Sequence, residues 1–135
     1  MTHPTILHTV LDTTDVRTLA EFYHRFLGLR YRPGDEPPQE GADDADWLVL
    51  TGADGGRSLA FQQVESLTRT TWPSHEVPMQ LHLDLTVPDV AALEAARAEA
   101  ESLGATLLLD RTDDEEEPLY VLADPSGHPF CVFVG

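Results

Sequence analysis

The sequence predicts an α+β fold built from two βαβββ modules with mixed sheets. Three observations lead there. Short runs with apolar residues at every second position alternate with longer runs whose apolar residues recur at three- and four-residue spacing, the periods of half-buried strands and surface helices. Glycine, proline and aspartate punctuate those runs where turns and caps belong. The two halves also repeat. When His8 is set on His82, Leu7 falls on Leu81, Leu11 on Leu85, Asp15-Val16 on Asp89-Val90 and Leu19 on Leu93, with the elements in the same order.

The first module opens with a strand over 6–12, with Leu7, Thr9 and Leu11 on one face and Ile6, His8, Val10 and Asp12 on the other. Thr14 or Asp15 caps a helix whose apolar positions are Val16, Leu19, Phe22, Tyr23, Phe26 and Leu27, and Gly28 stands where a left-handed C-terminal residue is wanted. A short strand follows at 29–31. Residues 33–46 form an acidic loop containing Asp35, Glu36, Glu40, Asp43, Asp44 and Asp46 and no basic residue. Strands at 47–51 and 58–64 flank a Gly- and Asp-rich turn at 52–56. Residues 65–77, with their threonine clusters and Trp72-Pro73, read as an ordered linker.

The second module opens with a strand over 79–87, where Leu81, Leu83, Leu85 and Val87 alternate with Gln80, His82, Asp84 and Thr86. Asp89 caps a helix over 90–103 with Val90, Leu93, Ala96, Ala100 and Leu103 on its buried stripe, and Gly104 ends it. A strand at 105–109, a second acidic loop at 110–117, a strand at 120–123, a tight turn at Asp124-Pro125-Ser126-Gly127 and a strand at 129–134 complete the chain. The chain is thus expected to be one domain, with module one over about 5–65, the linker over about 66–77 and module two over about 78–135.

Composition narrows the function. A formal charge of −16 excludes a nucleic-acid binder and an anionic membrane surface, both of which need a basic face. No apolar stretch approaches the length of a membrane span. Cys131 is the single cysteine and has no internal disulfide partner, and Met1-Thr2-His3-Pro4 has no basic, apolar leader, so a soluble cytoplasmic protein is expected. The acidic surface admits a cationic ligand. For the acidic loops, a solvated, self-repelling segment is the default reading, and an electrostatic funnel for such a ligand is the sharper one.

The sequence resembles the vicinal oxygen chelate superfamily, in particular its glyoxalase-like branch, grouped with glyoxalase, bleomycin-resistance and dioxygenase proteins. The residues that carry the resemblance are Thr71-Trp72-Pro73 leading into Val77 to Leu85, Leu103-Gly104-Ala105-Thr106, Ala123-Asp124-Pro125-Ser126-Gly127-His128-Pro129-Phe130-Cys131, and Phe22-Tyr23 with Leu27-Gly28-Leu29. It implies paired βαβββ modules curled around a cleft that takes a small organic ligand, with room for a homodimer. In metal-using relatives the ligands sit on the leading and closing strands. Carried over, these positions fall on His8 and His82, near Gln62 or Gln63, and on Cys131.

The resemblance thus implies a divalent metal ion on His8 and His82, but both customary carboxylates are replaced, by Gln62 and Cys131. Two imidazoles alone hold a hard ion weakly. Two readings stay open: a metal-assisted lyase, isomerase or dioxygenase, and a metal-free drug-sequestering protein of the bleomycin-resistance kind. The ligand-lining candidates are His8, Trp47, Gln62, Trp72, His82, Asp84 and Cys131. For Trp47 core packing is the favoured role, and Trp72, beside a proline, is the better pocket wall. Cys131 also reads as core packing. Asp84 lies about 7 Å from His82 along a regular strand, so no short His–Asp hydrogen bond is expected. His128 reads as a solvated turn residue, His24 as an exposed helix flank, and His3 and His75 fall in flexible stretches.

Overall fold

The computed structural model describes residues 2–135 and consists of two compact units, one running up to Leu67 and one from Thr68 to Gly135. Each is a four-stranded mixed sheet with one helix on a face.

The first unit contains β1 (Thr9–Thr13), α1 (Val16–Leu27), β2 (Arg30–Tyr31), β3 (Trp47–Thr51) and β4 (Arg57–Gln63). Its strand order is β1-β4-β3-β2, with β1 parallel to β4 and the other pairs antiparallel. The helix starts where the sequence says it should, because the Asp15 carboxylate accepts the Thr18 backbone N–H. It ends at Gly28, whose φ of +67° is open to glycine at little cost. Leu19, Phe22 and Tyr23 on α1 are buried together with Leu48, Leu50, Leu59 and Phe61 of the sheet, and the Tyr23 and Phe61 rings stack at 5.9 Å. Gln63, at the end of β4, faces this helix. Its Oε1 accepts the Val16 N–H at 2.9 Å and its Nε2 donates to the Thr14 carbonyl.

The second unit repeats the plan with β5 (Leu83–Val87), α2 (Val90–Ser102), β6 (Thr106–Arg111), β7 (Leu119–Ala123) and β8 (Pro129–Val134), in the order β5-β8-β7-β6. Asp89 caps α2 through the Ala92 N–H at 2.8 Å. Leu93 and Ala100 of the helix and Tyr120, Leu122, Phe130 and Val132 of the sheet are buried. The turn into β8 is built on Asp124, whose carboxylate accepts the N–H groups of Ser126 and His128. Gly127 at its end has φ +93°, and a Cβ there would meet the Arg69 side chain at 2.8 Å, while Arg69 donates to the Pro125 carbonyl.

Two expectations need correction. The leading strands start later than the alternation suggests, at Thr9 and Leu83 rather than near 6 and 79, and Ile6, Leu7 and Leu81 are exposed. A strand lasts only as long as its partner's ladder. β8 offers partners from Phe130 onward, opposite Leu83, and β4 reaches its bulge at Ser58 just beyond the Thr9–Leu59 pair. Val90, expected on the buried stripe of α2, is 56% exposed at the first helical position.

Candidate functional site

In the second unit the parallel pair β5 and β8 sets Asp84 directly opposite Cys131. Cross-strand neighbours share a face, so carboxylate and thiol meet there. His82 lies before the strand begins, free of the pleat, and its Nε2 stands 3.1 Å from the Asp84 carboxylate. This overturns the expected 7 Å separation, which assumed a regular strand through both residues. Cys131 is half-buried and its thiol pKa is pushed up to about 11, first by burial and then by the charge and hydrogen bond of Asp84. Asp84 is therefore the centre of the group, hydrogen-bonded to the thiol on one side and 3.1 Å from the imidazole on the other. A nucleophilic cysteine needs the base between itself and the orienting carboxylate, so this order is wrong for an activated thiolate. Nitrogen, oxygen and sulfur donors from the three residues all lie within 4.8 Å of one another.

In the first unit the His8 and Trp47 rings approach to 5.9 Å at a 52° tilt. Gln62 is the register partner of both Trp47 and Asp12 and lies exposed on the face turned away from α1, whereas Gln63 is taken up in holding the start of α1. The ladders add a distinction that sequence offset misses. Val10 pairs with Ala60 as Asp84 pairs with Cys131, so the counterpart of Cys131 in the first module is Ala60. His8 Nδ1 is shut off from solvent and meets no hydrogen-bond partner among the described residues. Burial, with the charges of Arg57 and Arg32, holds the His8 pKa below its ordinary value, so the ring is neutral at pH 7.

Trp72 is half-buried in a loop of the second unit closed by the Thr71 N–H on the Val77 carbonyl at 2.9 Å and by the Thr70 hydroxyl, which accepts the Trp72 N–H. His24, expected on an exposed flank, instead packs on Tyr31 at 5.0 Å, with its Nδ1 2.6 Å from the Leu29 carbonyl. The first acidic loop folds over an open cavity of about 190 Å³ lined by residues that include Asp35, Glu36, Asp43, Asp44 and Trp47. Arg17 binds Asp43 at 2.6 Å and Arg32 binds Asp35 at 3.1 Å, so part of that acidity is already matched.

The model of the glyoxalase-like domain family matches residues 8–133. The chain belongs to this family. Solved structures carry the same fold at low identity. A glyoxalase/bleomycin resistance protein/dioxygenase family enzyme from Burkholderia phytofirmans is 17% identical with a TM-score of 0.69, over 95% of this chain and 96% of its own. Fosfomycin resistance proteins from Mesorhizobium loti (15% identity, TM-score 0.66, 100% and 94% covered) and Listeria monocytogenes (12%, 0.69, 99% and 95%) are similar too. No curated protein matches in sequence.

For this glyoxalase-like protein the fold family implies a divalent metal, and the residues of the second module fit one. Donor atoms on a single ion at about 2.0–2.3 Å stand no more than about 4.6 Å apart, and the separations among His82, Asp84 and Cys131 already approach that range. A carboxylate is present after all, from β5 rather than from the closing strand. The surroundings of His8 are different, because two guanidiniums bias that position against a second cation. No helix among the described residues is long and apolar enough to cross a membrane.

Proposed function

We propose that this glyoxalase-like protein binds a divalent transition-metal ion through His82 Nε2, the Asp84 carboxylate and Cys131 Sγ, and acts on a small organic ligand as a lyase, isomerase or dioxygenase. The observation that carries this reading is the convergence of the three donors. Imidazole, carboxylate and thiolate together suit zinc, iron(II) or cobalt better than magnesium or calcium. Bound there, the ion would supply Lewis acidity toward a carbonyl or enediolate oxygen of the ligand. His82 and Asp84 are 36% and 56% exposed in their side chains, so a ligand has access to them. A cytoplasmic setting, which keeps the thiol reduced, belongs to the same reading. His8 has no part in this ligand set. Its role is taken to be toward the organic ligand, beside Trp47 and Gln62, with Trp72 a wall on its own module.

A metal-free, drug-sequestering protein is the second reading. What favours it is that Asp84 already accepts from the Cys131 thiol and stands beside the His82 ring. Neighbours described as bleomycin- and fosfomycin-resistance proteins make such antibiotics the first ligands to screen. A cationic ligand would draw on the acidic loops, where Asp44 and Glu36 flank Trp47 in the cavity.

Metal analysis separates the two. Chelator-stripped protein dialysed against zinc, cobalt or iron(II) is expected to take up one ion per chain. The cobalt form is expected to show a thiolate charge-transfer band that is lost in Cys131→Ser. His82→Ala and Asp84→Asn are expected to weaken binding at least ~10-fold. If no metal binds more tightly than the millimolar range, the metal reading falls and the sequestering one replaces it.

A further inference from the structure

We propose that the face of the first module turned away from α1 is an oxyanion-binding site, taking the carboxylate or phosphoryl group of a small ligand on Arg30 and Arg57 and its flat portion against Trp47 and His8. The proposal deepens the small-ligand reading above and rests on it for the kind of molecule, but not for the metal.

The register of the sheet assembles this face. Tyr31, Leu50 and Leu59 form a cross-strand row buried against α1. The next row, Arg30–Thr51–Arg57, must therefore point the other way. On β4 that row is two residues from Leu59, not one. The register slips between Leu50 and Thr51, leaving Ser58 as an extra residue, and the bulge brings Arg57 round to the far face. Arg32, next to Val49, lies on the same side. A protein of net charge −16, all of whose eight basic residues are arginine, thus gathers three of them on one side of one sheet.

Only one of the three is matched. Arg32 is paired with Asp35, which also accepts the Val49 N–H at 2.9 Å. Arg30 and Arg57 are exposed and have no ion pair among the described residues. The nearby turn aspartate, Asp54, accepts the Gly56 N–H instead. Two unmatched guanidiniums in one cross-strand row, with Thr51 between them, suit a planar or tetrahedral oxyanion.

His8 adds an independent sign. Its Nδ1 is buried without a partner among the described residues, and burial first, then the charges of Arg57 and Arg32, lower its pKa and keep the ring neutral. A metal ion would be repelled by them. An anion oxygen is drawn in by the charges of Arg57 and Arg32 and can accept from a ring N–H. Trp47, 5.9 Å from the imidazole, supplies a flat apolar wall beside it.

The test uses full-length, chelator-stripped protein and calorimetric titration with benzoate and phenyl phosphate, against benzamide and benzylamine as neutral and cationic matches. The two anions are expected to bind and the controls not to bind, with affinity falling as salt rises. Arg57→Gln and Arg30→Gln are each expected to weaken binding roughly 10-fold, Arg57→Lys less. Trp47→Ala is expected to weaken the aromatic anions while leaving weak inorganic phosphate binding in place. Unchanged affinity in Arg57→Gln, equal binding of benzylamine, or no binding of either anion overturns the proposal. Arg57→Gln is also expected to keep the wild-type metal stoichiometry. Failure of the metal reading and failure of the anion site are therefore read from different measurements on the same samples.

Discussion

Cys131 is held as a thiol. Burial and the Asp84 carboxylate both resist the loss of its proton, and with a pKa near 11 almost no thiolate exists at neutral pH. For a thiol pushed upward, reactivity is low below the raised pKa and climbs as pH approaches it. Metal-free native protein should therefore react with a disulfide reagent at pH 8 roughly 10-fold or more slowly than the same protein unfolded, the rate rising through pH 10. Asp84→Asn removes the charge and leaves an amide, so the native rate at pH 8 should rise several-fold. A native thiol as fast as the unfolded one would mean that carboxylate and thiol do not meet. His82, Asp84 and Cys131 could each be named from the sequence, but their union could not. It depends on β5 beginning at Leu83, a boundary decided by where its partner strand begins and not by the alternation of leucines, which runs on through Leu81.

Gln62 and Gln63 show what one residue of register does at the level of an element. Successive side chains on a strand take opposite faces. Gln63 bonds the first turn of α1 twice, while Gln62 stands exposed opposite Trp47. Gln63→Ala should cost about 1–2 kcal/mol in denaturant unfolding, from the loss of two hydrogen bonds at an otherwise open helix end. Gln62→Ala should stay within about 0.5 kcal/mol and show its effect, if the anion-site face is used, in ligand affinity. Reversed magnitudes would show that the register is slipped. The helices themselves were legible because caps are local signals. Asp15, Gly28 and Asp89 do their work within a turn of where they stand. The bulge at Ser58 was not legible, because an extra residue in β4 is defined only by its pairing with β3, and with it went any sign that Arg57 shares a face with Arg30.

At the scale of the molecule, the repeat was the most readable feature, since two modules with the same element order give the same sheet order, β1-β4-β3-β2 and β5-β8-β7-β6. What the repeat hides is that matching places carry different chemistry. Val10 and Ala60 stand in the first module where Asp84 and Cys131 stand in the second. The overall acidity acts on both. With 24 carboxylates against eight arginines, most acidic groups have no cation to meet, and residues 113–117 place five of them in succession. The Asp110 and Asp114 carboxylates fold that loop by accepting its own N–H groups and hydroxyls, so the like charges are held close together in the native state. Such repulsion is screened over about 10 Å at 0.1 M salt. The few exposed ion pairs, such as Arg97 with Glu101 at 2.7 Å, contribute little in comparison. Raising sodium chloride from about 20 to about 300 mM, a range over which the screening length shortens severalfold, should therefore raise the melting temperature. Neutralising residues 113–117 to amides should raise it at low salt and flatten the salt response. A melting temperature that falls with salt would place the ion pairs above the repulsion and reverse this account of the acidic surface.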